Sequence, residues 1–409
     1  MSSTNGHTAN EESLSLITQL QALASRLSNP HDVDARKQCL QLSKGLTVQL
    51  EQPENIAVDM AFAPMVATSA RIAVDLNLFA HIVQAHAPIT AASLAALSGA
   101  EELLIVRILR LLAAVHFVHE VAPQTWTATR ITHAMATEEI AAGHRMVSRL
   151  IVPAMQSAPA YFHERGYRCP FDPTDGLMQY AFGSTQSTFD RIAADPALLR
   201  DFNTFMRNTM GARKYWVDWY PVQERILDGF AADTAAAAAL LVDVGAGKGH
   251  DLLAFRARFP DAGGRLVLED LPAVIDGLKE VEGEGEPAIE TVPYDFFTEQ
   301  PVVGARVYFY HHHTLHDWSD PYCLWILQQV AAAMTLGFSK LLVHEIIVSD
   351  QRAAQFQAQF DMTMMAFNSG IERTRPQWQT LLEAAGLTVV GVWDSVNEGG
   401  DGIVEAMKL

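Results

Sequence analysis

Two rhythms of apolar and polar residues divide this chain. In the first part, apolar side chains recur at helical spacing. Leu16, Leu20, Leu23 and Leu27, with Ile17 beside them, predict a helix over 13–27 that Asn29-Pro30 ends. A second helix is predicted over 33–49, and Pro53 breaks the chain again. The Ala-rich stretch 60–83 reads as a buried helix with Pro64 near its start. Thr90 then caps a short helix stopped at Gly99, and AEELLIVRILRLLAAVHFV forms a longer helix with an apolar stripe. HEVAPQTWTATR reads as a two-stranded hairpin, so helix, turn, helix and hairpin give a winged-helix pattern. Residues 140–230 are mainly helical, interrupted by the loop GYRCPFDPTDG. A helix predicted over 196–220 carries Phe202, Phe205, Met206, Met210 and Trp216, a stripe that suits either core or the wall of a pocket for a planar apolar ligand.

From residue 235 the rhythm changes to strands alternating with helices. Strands are predicted at 240–244, 265–268, 289–292, 306–310 and 340–347. Helices follow at 250–259, 273–280, 322–334 and 355–367, and a further one opens at Pro376 and closes at Gly386. VEGEGEPA reads as a solvated acidic loop. Two last runs, 387–393 and 402–407, flank the turn-like NEGGD and suggest a hairpin at the sheet edge. This alternation predicts an α/β fold with a doubly wound, Rossmann-like parallel sheet and a terminal antiparallel hairpin. The expected organisation is a disordered tail over 1–12, a helical winged-helix-like domain over 13–139, a helical connector over 140–234 and the α/β domain over 235–409.

Charge narrows the partners. The formal net charge of -18 argues against nucleic acid, although Arg107 and Arg110 lie on the second helix of the winged-helix pattern. That pattern therefore reads as a scaffold or dimerisation element. Cys39, Cys169 and Cys323 are far apart and form neither a metal spacing nor a disulfide framework, which fits a reducing compartment. MSSTNGHTANEE lacks the apolar core of a signal peptide, and no apolar run approaches the ~18–20 residues of a membrane span. A cytoplasmic protein with no membrane partner is expected.

The candidate chemistry gathers at the strand ends, where open parallel sheets bind ligands. LLVDVGAGKG runs from a buried strand through Asp243 into a turn with Gly245, Gly247 and Gly249, and a helix begins at His250. The glycines allow positive φ and close approach, and the helix start offers free N–H groups. The second strand ends in Glu269-Asp270, an acceptor for both ribose hydroxyls, and the third in Asp295, an acceptor for an adenine amino group. The fourth runs into HHHTLHDW. The ligand is a dinucleotide or S-adenosylmethionine. His250 occupies the sixth position of G-x-G-x-x-G, so the dinucleotide fingerprint is incomplete, whereas S-adenosylmethionine has no pyrophosphate to cradle.

VDVGAGKG, EDLPAVI, LHDWSD, HEIIV and GIERT resemble, in order and spacing, the small-molecule O-methyltransferases of the caffeate and hydroxyflavonoid type and their fungal relatives in secondary metabolism. The resemblance covers 240–409 closely and the preceding helices more loosely. It implies S-adenosylmethionine as cofactor, a homodimer formed through the N-terminal helical domain and a small, largely apolar hydroxylated metabolite as acceptor. It puts His316 at the catalytic base, with Glu345 and Glu372 as the carboxylates that orient it. Asp243, Gly245, Gly247, Asp270, Asp295, Phe296 and His312 fall at cofactor positions. Met155, Phe162, Met206, Met365 and Asn368 fall around the acceptor pocket. A histidine suits proton removal near neutral pH, and a carboxylate partner fixes its tautomer. His312 departs from the family's usual Lys or Arg, and it sits in the run His311-His312-His313. No carboxylate or Cys other than Asp317 lies at ligand spacing beside that run, so no metal is expected. Some fungal members keep the cofactor pocket but catalyse dehydration or pericyclic ring closure, which stands as the alternative activity.

Overall fold

Caps and breakers place most helix boundaries where the apolar pattern puts them. The computed structural model describes residues 3–211, 214–230, 238–279, 289–311, 314–395 and 400–409. The chain divides into two compact units, Met1–Thr137 and Glu138–Leu409. The helices expected as a connector thus belong to the same unit as the sheet.

The first unit holds α1 (Ser3–Leu27), α2 (Val33–Leu50), α3 (Pro53–Asp75), α4 (Leu78–Gln84), β1 (Ile89–Thr90), α5 (Ala91–Ser98), α6 (Glu102–Ala114), β2 (Val118–Ala122), β3 (Thr125–Ala128) and α7 (Arg130–Met135). Asp32 caps α2 by accepting from the Ala35 N–H. Thr90 caps α5, and Gly99 ends it in the left-handed conformation. The small sheet runs β1-β3-β2, with Trp126 fully buried under it. Three expectations change. α1 starts at Ser3, inside the stretch expected to be disordered, because no proline interrupts the polar run before Ser13. The stretch 60–83 is two helices, since Asn77 takes a left-handed φ of 53° between α3 and α4. Nor is α3 buried along its length: Met60 is 72%, Phe62 62% and Met65 53% exposed. α3 also has the length and apolarity of a membrane span. Its charged residues are Glu54, Asp59, Arg71 and Asp75, so 60–70 carries none.

The second unit begins with α8 (Glu138–Arg149), α9 (Ile151–Glu164), α10 (Leu177–Phe182), α11 (Thr188–Ala194) and α12 (Pro196–Gly211). The helix expected to reach residue 220 ends at Gly211, and Trp216 lies in a separate short turn. Then come β4 (Ala239–Val244), α13 (His250–Arg258), β5 (Arg265–Asp270), α14 (Pro272–Lys279), β6 (Glu290–Pro293), β7 (Val307–Tyr310), α15 (Asp320–Ala333), β8 (Lys340–Val348), α16 (Gln355–Asn368), β9 (Arg373–Thr374), α17 (Arg375–Ala384), β10 (Thr388–Asp394) and β11 (Asp401–Met407). The sheet order is β10-β11-β8-β7-β4-β5-β6. β4 to β8 pair in parallel, and β11 lies antiparallel on β8 and is followed outward by β10. The chain builds outward from β4 through β5 and β6, then returns to the other side of β4 with β7. The switch point between β4 and β7 opens a crevice at their C-terminal ends. The expected acidic loop and most of the NEGGD turn lie outside the described residues.

One buried ionic cluster ties β11 to β8 and to the segment ahead of β4. Glu405 on β11 accepts from Lys340 Nζ at 2.6 Å, Tyr220 Oη at 2.7 Å and Arg225 at 2.9 and 3.0 Å. Burial pushes the Glu405 acid up, but Arg225, Lys340 and Tyr220 outweigh it and hold it below the usual range. This stability is full above the unfolded value of ~4.3 and is lost as pH falls through the folded one. Replacing Glu405 by Leu strands two cations in the interior. The expected loss is about 3–5 kcal/mol, read as a lower urea midpoint at pH 7. An unchanged midpoint would show that the cluster does not hold β11.

Candidate functional site

β4 delivers the glycine turn. Gly245, Gly247 and Gly249 take φ of 73°, 54° and 70°, so the turn needs residues that tolerate the left-handed region. A Cβ at Gly249 would lie 2.7 Å from Leu268 Cδ1, while one at Gly247 would meet open space. Asp270 braces the turn: its Oδ2 accepts from the Gly247 N–H at 2.7 Å and its Oδ1 from the Leu271 N–H at 2.7 Å. Beneath it, Asp243 is 1% exposed, and neither carboxylate oxygen has a hydrogen-bond partner among the described residues. Burial, then the charges of Asp251, Asp270 and Glu269, push its acid well above the ordinary value. An orphaned buried carboxylate asks for a cationic partner.

β7 delivers the second half. Beyond His311 the chain turns through Thr314–Trp318, and Thr314 lies 3.4 Å from where a Cβ on Gly245 would sit, so this loop packs directly on the glycine turn. His316 follows, 1% exposed. Its Nδ1 lies 2.6 Å from Glu372 Oε1 and 3.6 Å from Glu345 Oε2, and its Nε2 lies 3.7 Å from Asp317 Oδ1. Glu345 Oε1 also accepts from the Leu315 and His316 N–H groups at 2.8 and 3.2 Å. Burial works against a charged imidazole here, yet Glu372 and then Glu345 outweigh it and push His316 up to about 10. Burial raises Glu345 and carries Asp317 up to about 7. The ligand-type atoms of His316, Glu345 and Glu372 lie within 4.8 Å of one another. The 2.6 Å contact uses Nδ1 as a hydrogen-bonding nitrogen, so the neutral tautomer leaves the Nε2 lone pair for a reacting proton.

The other expected residues divide. Phe296 packs edge-on against Trp318 at 5.9 Å, beside the base. Asp295 is exposed and accepts from the Phe297 N–H at 3.0 Å, which fixes the turn after β6. Met155, Phe162 and Met365, like Phe202 and Phe205, pack against one buried helical cluster. Met155 also lines a groove of about 450 Å³ with Gln355, Ala358, Gln359, Met362 and Thr363. That groove uses a different face of α16 from Phe360, whose ring lies 5.6 Å from His316. Met206 is half-buried on α12. Asn368 does not present a free amide: its Nδ2 donates to the Asp317 carbonyl at 3.1 Å, holding the base's loop. Trp216 belongs to the core, stacked near Phe255 and Phe309. His312 and His313 lie outside the described residues.

The structure adds residues that the sequence reading passed over. Asp361 Oδ1 accepts from the Glu372 N–H at 2.9 Å. Gly370 permits the close crossing of two chains, since a Cβ there would lie 2.2 Å from the His316 carbonyl oxygen. His311 Nε2 meets Asp251 at 2.6 Å on the opposite face of the sheet from Glu345. The spacing of GIERT behind a helix hinted at Gly370, but nothing in the sequence separates Asp361 from other helical acids.

An antiparallel last strand in a parallel doubly wound sheet marks the methyltransferase class of Rossmann-like domains rather than the dehydrogenases. The chain belongs to the O-methyltransferase family: residues 171–388 match its O-methyltransferase domain and residues 58–138 its dimerisation domain. The O-methyltransferase penC of Penicillium thymicola is 58% identical over 400 residues, covering 98% of each chain. Among solved structures, LepI in complex with SAM matches with a TM-score of 0.83 at 27% identity, over 96% of this chain and 98% of that one. A pericyclic-reaction enzyme matches with the same TM-score of 0.83 and 27% identity, over 96% and 99%. The dimerisation domain accounts for the uncovered apolar side chains of α3, most of which lie within its range.

His316 carries a folded-state value above the unfolded one of ~6.5, so its pairing stabilises fully below that pH and the gain is lost as pH rises through about 10. Its ring C2 proton is expected to titrate well above pH 8 by NMR, and His316→Gln to flatten the fall in stability between about pH 7 and 10. A midpoint near 6.5 would contradict the pairing.

Proposed function

We propose that this protein is a homodimeric O-methyltransferase that uses S-adenosylmethionine to methylate a hydroxyl of a small, largely apolar secondary metabolite, with His316 as general base. The observation that carries the reading is the buried His316–Glu372 contact at 2.6 Å, backed by Glu345, beside a glycine turn.

The site suits this cofactor on its own geometry. Asp243 offers two carboxylate oxygens, unpartnered among the described residues, of the kind an ammonium group satisfies. Gly247 leaves open space where a side chain would stand. Asp270 spends one lone pair of each oxygen on the backbone, and each oxygen keeps a second for a ribose hydroxyl. S-adenosylmethionine, when bound, supplies an electrophilic methyl on a sulfonium. The residues do the rest. Glu372 holds the imidazole through Nδ1, and the tautomer this sets carries its lone pair on Nε2. Nε2 takes the proton from the acceptor hydroxyl as its oxygen becomes nucleophilic. The two carboxylates on the Nδ1 side stabilise the imidazolium that results. The packing of Thr314 on Gly245 fixes the distance between base and cofactor turn, so much of the acceleration comes from orientation. The cluster with Phe162, Phe202, Phe205 and Met365 is the apolar wall proposed to receive the acceptor. Three free cysteines support a cytoplasmic setting.

The first test incubates the purified protein with methyl-labelled S-adenosylmethionine and a small-molecule extract of its source. Label is expected in an organic-phase product, falling by about 10²–10⁴ in His316→Ala. An unlabelled product of unchanged mass would sink methyl transfer and favour the ring-closure activity of the pericyclic-reaction neighbour. The second follows kcat/KM against pH. Because the base must lose a proton whose affinity the two glutamates raise, kcat/KM is expected to climb about tenfold per pH unit from 7 towards 9. A plateau already reached at pH 7 would mean that another group is the base.

A further inference from the structure

We propose that Arg373 is a positioning residue for the base: it clamps the backbone on both sides of His316 while its neighbour Glu372 holds the ring. The inference rests on the reading of His316 as the base of methyl transfer. β9 is only Arg373–Thr374, paired in parallel with the end of β8 through Ile347 and Val348. Successive side chains on an extended segment point to opposite sides. Glu372 therefore reaches the imidazole, and Arg373 reaches under the turn that carries it.

The contacts are specific. Arg373 Nη1 donates to the Leu315 carbonyl at 3.4 Å and to the Ile371 carbonyl at 3.3 Å. Nη2 donates to the Trp318 carbonyl at 2.8 Å and lies 3.4 Å from Cys323 Sγ. Nε donates to Asp320 Oδ1 at 2.8 Å. The guanidinium carbon stands 4.9 Å over the ring of Trp378, and Cys323 Sγ donates to the same Leu315 carbonyl at 3.1 Å. One planar fork thus ties residue 315, residue 318 and the first turn of α15 to the segment that bears Glu372. A point-charge ammonium on a flexible stem cannot span these acceptors.

Packing alone does not explain an arginine here. Its side chain is fully buried, while that of its ion-pair partner Asp320 is 62% exposed. A buried guanidinium with a half-solvated partner carries a desolvation penalty, and an apolar residue would fill the space without it. What the arginine does that an apolar residue cannot is bind carbonyls at 315 and 318 at once. Those two carbonyls fix where His316 starts and where the chain leaves it. A displacement of about 1 Å at such a centre costs on the order of 100-fold in rate.

The test is a double-mutant cycle on the full-length protein, using the acceptor that takes label in the transfer assay. Arg373→Lys is expected to lower kcat between about tenfold and 100-fold. Acceptor KM and the Kd for S-adenosylhomocysteine should stay within about twofold. In the His316→Ala background the same change should lower kcat by no more than about twofold, because the group it positions is gone. Asp320→Asn, a surface change that loosens the clamp, should give a smaller fall that also vanishes without His316, and it decides the matter if Arg373→Lys does not fold. A fall that is equally large with and without His316, or one confined to KM, would overturn the proposal. One readout needs no turnover. The His316 Nδ1 proton resonance should shift in Arg373→Lys and Asp320→Asn, and unchanged spectra overturn the clamp even if no methyl transfer is found. Absent label in wild type counts against the methyl-transfer reading, and the spectra still judge Arg373.

Discussion

Everything at this site depends on keeping one imidazole among buried carboxylates. His316 has Glu372 at 2.6 Å and Glu345 at 3.6 Å from the same nitrogen, with Asp317 near the other. Buried charges in that number must be offset by opposite charge and by hydrogen bonds. The protein meets the demand with backbone. Glu345 accepts the N–H groups of residues 315 and 316, so the carboxylate that raises the base also fixes the loop that carries it. Position and basicity come from one set of contacts, and neither can change without the other.

The sheet makes this arrangement possible through side-chain alternation. On β8, Glu345 faces the base while His344 faces the other side, where it lies 3.2 Å from Asp401 on β11. His311, at the end of β7, turns to the same far side and meets Asp251. Polar groups thus sit on both faces of the sheet at the C-terminal ends of its parallel strands, above cores that are apolar. The buried acids Asp243 and Glu345 lie towards the C-terminal ends of their strands, whereas Glu405 lies within β11 and is satisfied by Lys340, Arg225 and Tyr220. The antiparallel β11 closes this edge and brings Asp401, which a purely parallel sheet would not supply.

Much of this was legible in the sequence because the period of the apolar residues changes from helical to alternating near residue 235. The strand starts and the order of elements follow from that change, and capping residues such as Thr90 and Gly99 set individual ends. The proximity of His316, Glu345 and Glu372 was legible only through the family resemblance, since residues 29 and 56 positions apart share no local signal. What the sequence withheld was tertiary. Asn77 looks like any helical polar residue until its φ of 53° splits the helix. The donation from Asn368 Nδ2 to the Asp317 carbonyl joins residues 51 positions apart and has no local signal. The exposure of Met60, Phe62 and Met65 depends on a surface that a single chain does not cover.

The same electrostatics bears on which reaction the fold performs. A raised imidazole can act in two ways: as a cation it donates a hydrogen bond to a carbonyl, and as a neutral ring it removes a proton. Donation needs only one carboxylate to hold the charge. A second carboxylate strengthens proton affinity further, which weakens a donor and strengthens a base. The second carboxylate is Glu345, a buried acid with its Oε2 turned to the imidazole and its other oxygen spent on two backbone N–H groups. Ring closure through an activated carbonyl already has its charged donor with one carboxylate, and the second makes that donor weaker. Proton removal from a hydroxyl does, because the imidazolium it leaves behind is the species two carboxylates stabilise. The retained pair of glutamates therefore weighs towards methyl transfer on chemical grounds, independently of any likeness to known enzymes.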